Sequence, residues 1–165
     1  MTSTNRTARL TLPADDQILI SREFDAPRHL VYRACTTPEL VQQWWGGQRG
    51  VVTSVEIDLR VGGRWRYVLA ANGGFEVAFH GEFRELVADE RTVTTEVYEM
   101  PGVAPEDLGA TLNTTTFVEA EGRTTMTVLM QCPDREVRDA IMASGMEVGM
   151  NESYDALEQV ARSLA

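Results

Sequence analysis

Glu85 is the carboxylate whose spacing is most suggestive of chemistry. It lies two residues beyond Phe83 in the run Phe75, Val77, Phe79, Gly81, Phe83, so an unbroken strand carries its carboxyl onto that apolar face. Desolvation there would raise its pKa toward that of a general acid, or let it orient a ligand. Beyond the end of the face it is simply solvated. His80 alternates to the opposite, charged face beside Glu82, and His29 sits next to Arg28 in a helical segment, so both are expected outside. Cys35 and Cys132 fall far apart in different elements. Two His and two separated Cys form no tetrahedral metal set, and no Ser/His/acid or Cys/His arrangement stands out. All fifteen basic residues are Arg, which removes lysine Schiff-base and general-base chemistry. Asn113, Thr115 and Thr116 lie in a polar strand that offers amide and hydroxyl contacts. Gly62-Gly63 joins two strands and opens no helix, so it is not a phosphate loop. No cofactor is implied.

Binding is better supplied than catalysis. Trp45, Trp65, Tyr67, Phe79 and Phe83, with Met142, Met146 and Met150, are candidates to line an apolar pocket. Methionine is flexible and polarizable and suits surfaces that accommodate varied apolar shapes. The competing expectation is that these side chains only fill the core. Of the adjacent indoles, Trp44 extends the stripe of Leu40 and Val41 and is expected in the core. Trp45, at the Gly46-Gly47 stop, is expected at a cavity mouth or on the surface, because helical neighbours differ by about 100°.

The elements that must position these residues follow from periodicity. Gln17 to Phe24 alternates as a strand. Asp25-Ala26-Pro27 starts a helix, with Asp25 as N-cap and Pro27 at the first helical position, and Thr37-Pro38 starts a second by the same device. From Val51 to Cys132 the pattern is mostly period two, with Val55, Ile57 and Leu59 on one face and Trp65, Tyr67 and Leu69 on another. A three-residue loop of Gly62-Gly63-Arg64 would bring those faces together, whereas a two-residue turn would not. Gly122 is expected at positive φ in the last hairpin. About seven strands joined mainly by hairpins make an antiparallel sheet. From Asp134 or Arg135 to Leu164 the period is 3.6, read as one long helix carrying Gly145 and Gly149 at a cost of roughly 1 kcal/mol each against Ala.

Composition narrows the function. A chain of 165 residues with 43% hydrophobic and 24% charged residues is expected to fold as a single domain over 1–165, with 1–9 flexible. A net charge of −10 excludes the basic footprint of a nucleic-acid binder and disfavours anionic membranes. No apolar run reaches the ~20 residues needed to span a bilayer, and Met1 to Arg9 lack the apolar stretch of a secretory leader. Two cysteines make no disulfide framework, so both are expected free, in a cytoplasmic protein.

The stretches Phe24-Asp25-Ala26-Pro27, Thr37-Pro38-Glu39-Leu40-Val41-Gln42-Gln43-Trp44-Trp45-Gly46-Gly47, Asp58-Leu59-Arg60-Val61-Gly62-Gly63-Arg64-Trp65-Arg66-Tyr67, and Ser144-Gly145-Met146-Glu147-x-Gly149 followed by Ser153-Tyr154-Asp155-x-Leu157 together resemble one family. It is the SRPBCC (START-like, helix-grip) superfamily, in the branch named after the C-terminal domain of the activator of Hsp90 ATPase. Phe79-His80-Gly81-Glu82-Phe83-Arg84-Glu85-Leu86 and Thr95-Glu96-Val97-Tyr98 match a largely bacterial part of that branch. The resemblance implies an α+β helix-grip (Bet v 1/START-like) fold: a curved antiparallel sheet around a long C-terminal helix, a short helical hairpin after the first strand, and a cavity between sheet and helix. The chain departs from the commoner pattern at Gly47, where relatives carry Pro, and at Cys35, where an aromatic is frequent, which leaves more room beside the hairpin.

The leading functional expectation is a binder of an apolar, lipid- or polyketide-like small molecule, for transport, sensing or sequestration. A polyketide cyclase or hydrolase using a pocket acid such as Glu85, and an activator of an Hsp90-type chaperone ATPase, are the alternatives. A homodimer through a sheet edge or an exposed Trp45 stays open.

Overall fold

The computed structural model describes residues 7–99 and 109–165. Among these are eight strands and four helices: β1 (Arg9–Thr11), β2 (Gln17–Phe24), α1 (Arg28–Thr36), α2 (Pro38–Trp44), β3 (Gly50–Ile57), β4 (Arg64–Ala71), β5 (Glu76–Val87), β6 (Arg91–Glu99), β7 (Ala110–Ala120), β8 (Arg123–Gln131), α3 (Arg135–Ala143) and α4 (Met146–Ser163). The strands form one antiparallel sheet in the order β1-β2-β8-β7-β6-β5-β4-β3. The first six residues lie outside the described part. Within the stretch 1–9 expected to be flexible, Ala8 is buried and Arg9 opens β1 against Ser21.

One face of the sheet turns toward α1, α2 and α4. Phe24, Phe117 and Met126 from the strands close on Val31, Tyr32, Val41, Trp44, Leu157 and Ala161 from the helices. At the other end Ile18, Ile20, Met130 and Cys132 pack against Ile141, Met142, Met146 and Met150. Two polar ties fix the helices on the sheet. Trp44 Nε1 donates to the Ala34 carbonyl at 2.9 Å, locking α2 to α1. Arg22, 2% exposed on β2, donates to the Tyr154 carbonyl at 2.6 Å and to Asp155 Oδ1 at 3.0 Å, lies 3.6 Å from Glu158 Oε1, and sits over the Phe24 ring. Glu158 in turn accepts from the Asp25 amide at 2.8 Å.

The helix read as continuous from Asp134 is broken. Asp134 caps α3, accepting from the Val137 amide at 2.8 Å, but α3 ends at Ala143 and Gly145 adopts φ 80° before α4 begins. A left-handed residue cannot continue an α-helix, so glycine here ends one helix and starts another. Asp25 is also not an N-cap; Pro27 occupies that position and Arg28 is the first helical residue. Between β3 and β4 the register pairs Val55 with Tyr67 and Ile57 with Trp65, which puts these faces together. The connection is nevertheless longer than three residues, spanning Asp58 to Gly63, and it carries Leu59 out to 44% exposure. Gly122 has φ 76° in the β7–β8 turn.

Candidate ligand-binding site

Strand register sets two rows of side chains across the inner face at the β3–β6 end of the sheet. One row runs Val55, Tyr67, Phe79, Tyr98. The next runs Ile57, Trp65, Gly81 and then, by continuation of the Phe79–Tyr98 and Phe83–Thr94 pairings, Glu96 and Thr111. Trp45, just past the end of α2, reaches over the first row. Its ring centroid lies 5.3 Å from that of Tyr67 and 5.6 Å from that of Phe79. Tyr67 continues to Trp65 at 4.8 Å, and Phe79 to Tyr98 at 4.8 Å. These edge and tilted contacts are the arrangements favoured by ring quadrupoles. Four rings on β4, β5 and β6 and the Trp45 ring at the end of α2 thus form one aromatic wall. Gly81 is required within it: a Cβ there would meet the Trp65 indole nitrogen at 2.7 Å and the Thr95 carbonyl oxygen.

Cys35 and Tyr154 pack with Trp45 and Tyr67 about the same core. Cys35 from α1, Tyr67, Glu96 and Tyr154 from α4 are surrounded by protein, and burial is the main cause of raised pKa values at all four, with Cys35 pushed up to about 12. Yet all four keep partial solvent-accessible surface, as do Trp45, Phe79 and Tyr98. Tyr67 and Tyr154 each feel both Cys35 and Glu96 electrostatically, so the four lie near one another. A thiol held so far above neutrality is a poor nucleophile.

Polar groups at this end lack partners. The Glu96 carboxyl receives only the Asn113 side-chain amide, at 3.4 Å, and makes no ion pair among the described residues. Trp65 Nε1, Thr111 Oγ1 and Asn113 Oδ1 are buried with no hydrogen bond. Such orphans are few in native proteins and call for an explanation at each site. The outer face is organised differently. There Glu99 Oε1 and Oε2 accept from Arg66 at 3.0 Å, and His80 Nδ1 lies 2.7 Å from Glu99 Oε2, beside a shallow groove of about 340 Å³. Arg66 and His80 hold Glu99 below the usual carboxylate range.

The family described as "Activator of Hsp90 ATPase homolog 1-like protein" matches residues 25–162. The chain belongs to that family. Comparison with curated protein sequences gives no match. Among solved structures, a protein from Rhodobacter sphaeroides superposes with a TM-score of 0.85 at 23% identity, covering 96% of this chain and 99% of that one. One from Arthrobacter aurescens gives 0.83 at 23% identity over 94% and 91%, and one from Mycobacterium smegmatis 0.83 at 22% over 94% and 96%. At these identities the likeness shows the fold, and it is the helix-grip fold of the family.

Of the residues singled out in the sequence, Trp45, Trp65, Tyr67 and Phe79 come together in the wall. Phe83 is buried further along β5, opposite Thr94. Met142, Met146 and Met150 pack instead against Ile18, Ile20 and Met130, with Tyr154 bridging the two groups. Glu85 is not on the inner face: a bulge between Phe83 and Glu85 flips it outward, where it is exposed 3.4 Å from Arg91. One extra residue reverses every side chain beyond it. The inner carboxyl is Glu96. Its alternation with Tyr98 was available in the sequence, but period two alone favours the valine face of β6, Val93 and Val97, as the inner one.

Proposed function

We propose that the protein binds a hydrophobic or aromatic small molecule between the sheet and α4, for transport, sensing or sequestration, as the aromatic wall and the family's helix-grip fold suggest. The observation that carries this is the ring cluster of Trp45, Tyr67, Phe79 and Tyr98, which retains accessible surface inside the domain and borders polar atoms that nothing in the chain satisfies. Ligand pockets combine a mostly apolar lining with a few placed polar groups. Two free cysteines suit a reducing cytoplasm. The test is titration of an environment-sensitive apolar fluorophore into the purified protein. One-to-one saturable binding, weakened by Trp45→Ala, is expected; absence of saturation with any apolar or aromatic probe would refute the proposal.

A second reading, catalysis of the cyclase or hydrolase type, is favoured by Glu96 and not by Glu85. Burial raises the Glu96 pKa, which makes this carboxyl a better proton donor than a solvated one. Turnover of an aromatic polyketide-type substrate that is lost in Glu96→Gln while binding persists would establish it.

A further inference from the structure

We propose that the ligand is a hydrophobic amine, its ammonium group held by Glu96, Thr111 and Asn113 and its apolar body lying among Trp45, Tyr67, Phe79 and Tyr98. This rests on the small-molecule reading above and names the class of molecule. Glu96 and Thr111 are direct cross-strand partners, and the Asn113 amide is 3.4 Å from Glu96. Thr111, 6% exposed, carries a hydroxyl with no hydrogen bond, and Asn113 Oδ1 is likewise without one. A carboxylate, a hydroxyl and an amide oxygen on two adjacent strands are three acceptors, and a primary ammonium has three N–H donors.

Charge points the same way. Among the described residues no arginine pairs with Glu96, and the one arginine buried on the inner face, Arg22, is engaged by Asp155, Glu158 and the Tyr154 carbonyl. Among the other titratable groups facing this space, Cys35 on α1, Tyr67 on β4 and Tyr154 on α4 supply no cation, and burial raises the pKa of each. An anionic ligand would therefore meet a carboxyl and no available cation. A neutral ligand would leave an ionised Glu96 without an ionic partner. A cation supplies that partner. The net charge of −10 draws cations toward the molecule and repels anions.

The experiment is calorimetric titration of the full-length protein at pH 7 with three probes that share one body: 4-phenylbutylamine, 4-phenylbutan-1-ol and 4-phenylbutyrate. The amine should bind at least about tenfold more tightly than the alcohol, with the butyrate weakest. Glu96→Gln should erase that advantage while the alcohol's affinity stays within about twofold. Thr111→Val, which keeps shape and removes one acceptor, should weaken the amine more than the alcohol, and it gives a second test should Glu96→Gln misfold by near-UV circular dichroism. Binding of the alcohol or the butyrate as tight as the amine, or equal losses for all three probes in the variants, overturns the amine assignment and leaves the pocket standing. Failure of all three to bind the wild-type protein at millimolar concentration overturns the pocket as well.

Discussion

Two ionisable side chains on the inner face of the sheet, Arg22 and Glu96, are treated in opposite ways. Arg22 is met by a carbonyl, two carboxylates and an aromatic face, and its network ties β2 to α4. Glu96, three strands away across the sheet, has one long amide contact and neighbours three orphaned polar atoms. Burying a charge is costly unless it is paired, so a folded chain normally saturates it or keeps it out. The β2–β8 end obeys that rule and serves stability. The β4–β7 end departs from it, and departures of this kind are expected where a partner from outside completes the site.

The contrast is tested most severely at Arg22. Arg22→Met removes the guanidinium that meets Glu158, Asp155 and the Tyr154 carbonyl, and should cost about 3–5 kcal/mol in urea unfolding. A loss under about 1 kcal/mol would mean the network does not hold α4, and the two ends would no longer differ in kind. Trp44→Ala should fall in the same range, about 3–5 kcal/mol, because it empties a core site and frees the Ala34 carbonyl. Trp45→Ala removes two edge contacts from a partly buried ring and should cost about 1–2 kcal/mol, with a larger proportional effect on ligand affinity. Equal large losses for the two tryptophans would make Trp45 structural.

Legibility in the sequence followed the same division. The parity of Val55, Ile57, Trp65 and Tyr67 placed β3 and β4 correctly face to face, although the loop between them is twice as long as expected. The well-packed parts obey period two and period 3.6, so Ile18, Ile20, Trp44 and Leu157 could be read as core. Three features could not be read. Strand β1 is only three residues long. Gly145 fits a helical pattern as a tolerated glycine and equally as a stop, and only its positive φ distinguishes them. The bulge after Phe83 leaves no mark in composition, yet it decides that Glu85 points out and Glu96 becomes the inner carboxyl. Functional polar residues on an inner face break the hydrophobic pattern by which inner faces are recognised, and for that reason Glu96 was hidden.

Glu96 provides the next test, with a sign that depends on pH. Burial raises its pKa above the unfolded value, so between those two values the folded state binds more protons than the unfolded one. Stability is then undiminished below the unfolded pKa and is lost as pH rises through the folded pKa. Glu96→Gln should thus raise the urea midpoint at pH 7 and leave it unchanged near pH 3.5. A destabilised variant at pH 7 would show that the carboxylate is favourably solvated within the protein, and the contrast with Arg22 would collapse.

Glu99 sharpens the comparison with the smallest effect. It stands three residues from Glu96 on the same strand, but on the outer face with Arg66 and His80 as partners, which lower its pKa. A depressed carboxylate contributes stability above its unfolded pKa and loses it as pH falls through the folded value. Glu99→Gln should therefore destabilise at pH 7 and become neutral in acid, the reverse of Glu96→Gln. Because the Arg66 side chain is 42% exposed, solvent screens the pair, and the loss should stay within about 0.2–1 kcal/mol. Parallel urea titrations of the two variants from pH 3.5 to 7 would read both slopes in one experiment. Slopes of the same sign would mean that the two faces of β6 do not differ electrostatically, and that Glu96 is no more lacking a partner than Glu99.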